Sequence, residues 1–328
     1  MKAPVDIIFP PVEPSRMPYW RFALRGCSQL CFQSNELTGL FFLAAVLVSS
    51  PIASAYFLVA ALLAPGIRML LRERRTVLAT GLPGLNPSLI ALSLPVFFQT
   101  GWTDFWMWGV LIVCVVCAVV LTRLCLAVLP FPTLALPFLL VFWGLYALAP
   151  DIDVLKPISF GDLPQTTFQP LAAVLHGLGQ ALFSASVWSG ILFLVGMLLS
   201  NWRHALIAVF GAIIGTAVSY YYRDVDPASI NLGLYGFNGV LTAVSVYVVC
   251  GSKLRLAVLG ALLATIMMPA IADLNIQTLS APFVFTTWLL LGLGWIEDKW
   301  FSVSSEPSDP AASGSGTASR SQPKPPGN

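Results

Sequence analysis

The chain has 328 residues, of which 57% are hydrophobic and 10% charged, with a formal net charge of +2. Soluble domains carry roughly 25% charged residues, and long apolar runs without alternating polar positions argue against a membrane β-barrel, so the composition points to an all-α polytopic membrane protein set in a lipid bilayer. The small net charge and the lack of a basic cluster leave no surface for nucleic acid.

Residues 1–15 include Lys2 but no apolar signal-peptide core, and read as a short cytoplasmic lead. A first membrane unit is expected over 16–150. It opens with a helix over 19–32, a break at Gln33-Ser34-Asn35-Glu36, and a helical pair over 37–48 and 53–71 separated by Ser49-Ser50-Pro51. The next apolar segment, 85–97, has 13 residues. Those residues rise about 20 Å, short of a hydrocarbon core of about 30 Å. With Gly, Pro and Asn at its start and Pro95 near its end, it has the profile of a half-helix that enters and leaves by one face. Helices over 105–126 and 133–148 complete the unit. An acidic linker over 151–165 follows, with Asp151, Asp153 and Asp162. The second unit, 166–300, repeats the order: helices over 171–183, 189–199 and 204–221, a half-helix over 237–249, then helices over 254–271 and 282–296. Residues 301–328 are rich in Ser, Pro, Gly and Ala and are expected to be a disordered tail.

The repetition extends to particular residues. Gly-Leu-Pro-Gly-Leu-Asn at 81–86 returns as Gly-Leu-Tyr-Gly-Phe-Asn at 233–238, which places Asn86 and Asn238 152 positions apart. Gln29 and Gln180, Thr38-Gly39 and Ser189-Gly190, and Ser49 and Ser200 are each 151 apart, and Leu136-Pro137-Phe138 matches Ala281-Pro282-Phe283 at 145. An odd number of crossings per unit inverts the second against the first. The expected fold is two inverted five-helix repeats, each with a re-entrant half-helix, around a central pore. Arg16, Arg21, Arg25 and Lys299 favour cytoplasmic termini, but Arg72, Arg74 and Arg75 would then fall outside, against the positive-inside rule.

Polar residues at lipid depth are costly and mark function or specific packing. Asn86 and Asn238 open the half-helices and read as caps. Gln29 and Phe32 lie three apart, as do Gln180 and Phe183, so each pair is expected on one helix face; two such pairs at repeat-equivalent positions suggest a mirrored site. Arg123 is the one clear charge deep in an expected helix and reads as a snorkelling or structural contact. Cys114 and Cys117 form a C-x-x-C inside a membrane helix, without a second pair, and read as packing. No acidic relay, metal cluster or nucleophile elbow can be assembled, so no cofactor and no enzymatic activity are expected.

The duplicated motif at 81–89 and 233–241, with Leu-Pro-Phe at 136–138, Ala-Pro-Phe at 281–283, Gly-Gln at 179–180 and Ser189-Gly190, resembles the urea transporter family from about Arg16 to Trp300. The resemblance implies a homotrimer, each protomer with its own pore, passing urea passively in single file between phenyl and leucine walls. It implies that Gln29 and Gln180 hydrogen-bond the permeant at the two pore ends. Phe32 and Phe237 match slot aromatics, Leu89 and Leu241 match slot leucines, and the half-helix backbones around Asn86 and Asn238 match an oxygen ladder. Three positions depart from the family pattern. Leu85 replaces an aromatic, Ala135 replaces a Thr, and Ser280 replaces the second Thr, which implies a softer slot and room for other small amides. The expected setting is a multi-pass protein of the cell membrane, the inner membrane in a bacterium. The main rival is an ion-coupled secondary transporter of a small neutral solute; a membrane-embedded enzyme and an aquaporin-like channel, hinted at by Asn86-Pro87-Ser88, have less to support them.

Overall fold

The computed structural model describes residues 8–159, 161, 163–221, 225–274 and 276–300; the far N-terminal lead, Asp162 and the expected tail over 301–328 lie outside the described residues. Fourteen α-helices follow one another among the described residues. The first seven are α1 (Tyr19–Ser28), α2 (Glu36–Ser49), α3 (Pro51–Leu70), α4 (Arg75–Leu78), α5 (Leu85–Phe97), α6 (Phe105–Val128) and α7 (Leu136–Leu148). The second seven keep the same order: α8 (Pro170–Gln180), α9 (Val187–Ser200), α10 (Trp202–Tyr221), α11 (Pro227–Asn231), α12 (Gly236–Val249), α13 (Leu254–Ala272) and α14 (Ala281–Trp300). By length and apolar composition α3, α6, α10 and α13 could each cross a membrane, and so could the α1–α2 pair, which is bent by 71° at its break.

Local chemistry sets these boundaries. Asn35 caps α2 by accepting from the Thr38 amide at 3.1 Å, and Asp104 caps α6 through the Met107 amide at 3.2 Å. Ser50 caps α3, whose first residue is Pro51, where a missing N–H costs nothing. The expected helix over 19–32 is instead broken: α1 stops at Ser28, a 3₁₀ turn runs Gln29–Cys31, and Phe32 takes the left-handed conformation at φ 58°. Phe183 does the same at φ 56° after α8. Both turns close alike. The Gln33 amide donates to Ser28 O and the Ser184 amide to Gly179 O, the six-to-one bond of a Schellman ending.

These paired left-handed residues carry the repeat into the backbone. Gly81 and Gly233 have φ 79° and 73°, and Leu134 and Leu279 have φ 48° and 44°. Close approaches repeat as well. A Cβ on Gly39 would lie 2.1 Å from Leu24 O, and one on Gly190 2.0 Å from Leu175 O, so only glycine lets α2 cross α1 and α9 cross α8 at this distance.

The two halves touch reciprocally. Thr38 Oγ1 donates to Gly196 O at 2.8 Å, and its mate Ser189 Oγ donates to Ala45 O at 2.6 Å. Phe42 stacks on its own repeat mate Phe193, with centroids 5.0 Å apart and planes 3° from parallel. When residue i meets j′ and i′ meets j, a two-fold exchange relates the parts, and a residue that meets its own mate sits on the axis. The buried core is continuous through this interface.

Candidate functional site

Both glutamines lie where a helix ends against the loop that leads to a half-helix. Gln29 is buried, and its Nε2 donates to Thr80 O at 2.5 Å and Ser34 Oγ at 2.8 Å. Gln180 Nε2 donates to Leu232 O at 3.2 Å. Thr80 and Leu232 hold equivalent places just before the glycine motifs. Because carbonyls fix both amide nitrogens, the orientation of each amide is determined. Each Oε1 is therefore left as an acceptor without a partner among the described residues. The helical-face argument for Gln29 with Phe32, and Gln180 with Phe183, does not hold. The left-handed turn separates each phenylalanine from the helix that carries its glutamine.

The phenylalanines meet across the halves instead. Phe32 of the first half packs edge-on against Phe283 of the second, with centroids at 6.1 Å and a 70° interplanar angle. Phe183 packs edge-on against Phe138, also at 6.1 Å, with 79°. Sequence reasoning quoted Phe138 and Phe283 in their motifs but did not place them at the site; their 145-residue spacing, set against the 151 of Phe32 and Phe183, was the available signal. Leu85, Leu89, Leu241 and Ala135 are buried, whereas Phe237 is half-buried.

Asn86 and Asn238 are not caps. Each lies within the first turn of its helix, and Gly84 and Tyr235, which precede α5 and α12, make no side-chain cap. The side chains reach sideways. Asn86 Nδ2 donates to Leu134 O at 3.1 Å while its Oδ1 accepts from the Phe138 amide at 3.0 Å. Asn238 Nδ2 donates to Leu279 O at 3.0 Å. A cap requires extended backbone before the first turn; here the preceding 3₁₀ turn or tight loop places Asn86 two and Asn238 three residues past the cap position, and each fastens its half-helix to the start of the last helix of its half, α7 or α14, at the residue that has positive φ. Three buried polar atoms lie in this region without partners among the described residues: Asn238 Oδ1, Ser280 Oγ and Ser88 Oγ.

The charged groups lie elsewhere. Glu36 Oε1 accepts from Arg21 Nε at 2.6 Å and Arg25 Nε at 2.8 Å, and Arg25 Nη1 donates to Ala79 O at 2.7 Å. Arg123 has the structural role expected of it: its Nη1 donates to Leu71 O at 2.8 Å, just past the end of α3. Among the described residues no group of three or more His, Cys, Asp or Glu could hold a metal.

Residues 20–294 match the family described as Urea transporter. Among curated proteins the chain is similar to urea transporter 1 of Rattus norvegicus, 28% identical over 254 residues, and of Mus musculus, 28% over 255. It is also 25% identical over 249 residues to urea transporter 1 of Capra hircus. Each match covers 71% of this chain and 64% of the relative's own length. With the match running through both seven-helix halves, the chain belongs to the urea transporter family.

Proposed function

We propose that the chain is a passive, channel-type conduit for urea, and for small amides of similar thickness, with one pore between two inverted halves of each protomer. The threading supports inversion. Arg75 Nη2 donates to Met17 O, so the end of α3 and the start of the chain share a face. The 20 residues of α3 rise about 30 Å, which places the α2–α3 corner on the opposite face. Trp108 packs on Tyr56 near the starts of α6 and α3, and Arg123 meets Leu71 at their ends, so these helices run parallel. The end of α5 is pinned to the linker by the Phe98–Pro157 bridge and by the Gln99 amide donating to Lys156 O. Each half then crosses five times, as α1 with α2, α3, α4 with α5, α6, and α7 in the first. In this reading α5 is the second part of a broken crossing and does not return to the face it came from. Arg16, Arg72, Arg74 and Arg75 all gather on the face of Met17, and Asp151 and Asp153 lie on the other. The positive-inside rule then assigns the arginine face to the cytoplasm. Assembly as a homotrimer and residence in the cell membrane belong to the same proposal.

The observation that carries the reading is the pair of tethered glutamines, whose nitrogens are held by carbonyls and whose oxygens remain for a donor. Urea is flat, neutral and rich in N–H groups. The Gln29 and Gln180 oxygens replace bonds it loses from water, and the phenylalanine rings offer flat apolar walls along which a planar solute can lie. An ion would lose its hydration shell with no replacement, so charge is excluded.

Stopped-flow urea flux into proteoliposomes tests this. Flux should follow the urea gradient and ignore imposed proton or sodium gradients; accumulation driven by either ion would establish the coupled carrier instead. Gln29→Leu and Gln180→Leu should each cut flux, by about 5- to 150-fold for a lost bond of roughly 1–3 kcal/mol. Near-normal flux in both would reduce the glutamines to packing.

A further inference from the structure

The two left-handed phenylalanine turns are built alike, but among the described residues only the first is hydrogen-bonded through its side chains to the other half of the molecule. Gln33, immediately after Phe32, is 2% exposed. Its Nε2 donates to Cys31 O at 2.7 Å and faces His204 Nδ1 at 3.0 Å. Its Oε1 accepts from Ser200 Oγ at 2.8 Å. Cys31 O fixes the orientation of the amide, because an oxygen turned toward that carbonyl would be repelled. His204 Nδ1 lies 3.0 Å from Nε2 and 3.4 Å from Oε1 of Gln33; the shorter contact, to a donor, makes it an acceptor and puts the imidazole proton on the ring's Nε2. The ring is held in turn against Tyr247 of α12, edge-on at 5.8 Å. Ser200 and His204 flank the α9–α10 corner of the second half. At the equivalent places the chain has Ser184 for Gln33, Ser49 for Ser200 and Ala53 for His204, and no such network forms among the described residues.

A bulky residue at positive φ costs roughly 1–3 kcal/mol and persists only where its surroundings over-determine it. Phe32 pays that cost while presenting its ring to Phe283. We propose that Gln33, clamped by Ser200 and His204 of the opposite half, is a positioning residue that fixes where the Phe32 ring packs on Phe283, and so determines which solutes pass along that wall of the first-half slot. The proposal rests on the reading of the protein as a urea channel. Among the described residues the Phe183 turn has no such clamp, and its ring meets the other half through the edge-on contact with Phe138.

The test compares urea with the thicker thiourea in proteoliposomes made from the full chain. Gln33→Ala and His204→Phe, the latter keeping the ring on Tyr247 while removing the acceptor, should each raise the thiourea-to-urea permeability ratio by roughly fivefold. Ser200→Ala should raise it less, and Ser184→Ala in the other half should leave it unchanged. Should Gln33→Ala fail to fold, the His204 and Ser200 variants still decide the matter. A wild-type ratio in both of these, or an equal loss of both fluxes, overturns the clamp, since a purely structural role would not separate the two solutes. Nitrogen-15 histidine spectra give a readout independent of transport. They should show His204 protonated on Nε2 and shifted by Gln33→Ala, and a His204 signal indifferent to Gln33 overturns the clamp as well. Absence of urea flux in the wild-type protein with that histidine signal intact would instead overturn the channel reading.

Discussion

The first half locks the junction of α1, α2 and the glycine loop with buried charge; the second half builds the same junction almost without it. Glu36 is 1% exposed and binds two arginines, and Arg21 also donates to Pro10 O at 2.9 Å. The repeat mates of Arg21, Arg25 and Glu36 are Ala172, His176 and Val187. Yet the backbone is the same in both. Gly26 meets Gly84 as Gly177 meets Gly236, and the carbonyl that receives Arg25 Nη1, that of Ala79, corresponds to the Asn231 carbonyl 2.6 Å from His176 Nδ1. What the junction requires is a close glycine crossing and a donor to one loop carbonyl. The charge in the first half does something additional: through Arg21 and Arg75 it ties residues 10–17 onto that face, where Met17, Phe22, Leu78 and Ala79 form a small core of their own.

This contrast predicts very unequal costs. Removing one member of a buried ion cluster strands the others, at about 3–5 kcal/mol. Glu36→Ala leaves Arg21, 3% exposed, without its anion, and should lower stability by that amount. Val187→Ala, at the matching place but only partly buried, should cost about 1 kcal/mol. Thermal unfolding of the detergent-solubilised protein measures both. Comparable losses would mean that the charge cluster is no more important than the packing that replaces it.

The asparagine fasteners sharpen the comparison at smaller scale. Asn86 uses both ends of its amide, and Asn238 uses only its nitrogen. Asn86→Ala therefore strands Leu134 O and the Phe138 amide, whereas Asn238→Ala strands Leu279 O alone. With about 1–3 kcal/mol per stranded buried group, Asn86→Ala should be the more destabilising by about 1 kcal/mol in the same melting assay. A larger loss at Asn238 would show that its Oδ1 has a partner, such as a bound water, that matters as much as the Phe138 amide.

Much of this was legible in the sequence because it depends on near neighbours. Apolar run lengths and the polar or Gly/Pro breaks between them placed the helices within a few residues, and the repeat offsets paired the glutamines. The phenylalanine turns were not legible, because Schellman endings usually announce themselves with glycine and here a phenylalanine takes that conformation. Likewise the partners of Asn86 are 48 and 52 residues away, so an asparagine at a helix start looked like a cap. The arginines at 72–75 violate the charge rule when α1 and α2 are counted as separate crossings; in the proposed threading the two join as one broken crossing, in keeping with the bond from Arg75 to Met17 O. The Gln33 network left no trace in the repeat pattern, since it exists in one half only.

The smallest difference concerns the slot walls one turn into each half-helix. Leu89 and Leu241 are equivalent and equally buried, but four residues earlier stand Leu85, buried, and Phe237, half-buried. On a helix these pairs share a face. A leucine side chain can shift rotamer into space vacated next to it, while a phenyl ring turns as a rigid plate and leaves a gap at its edge. Leu241→Ala should therefore leave an opening beside Phe237 that methylurea can use, raising its permeability relative to urea by about 10-fold, the discrimination typical of one methyl-sized gap. Leu89→Ala should be partly refilled by Leu85 and change the ratio less than about 3-fold. Paired methylurea and urea fluxes in proteoliposomes decide it. An equal or larger change at Leu89 would show that Leu85 seals its wall as firmly as a ring does, and that the two half-helices differ in sequence without differing as filters.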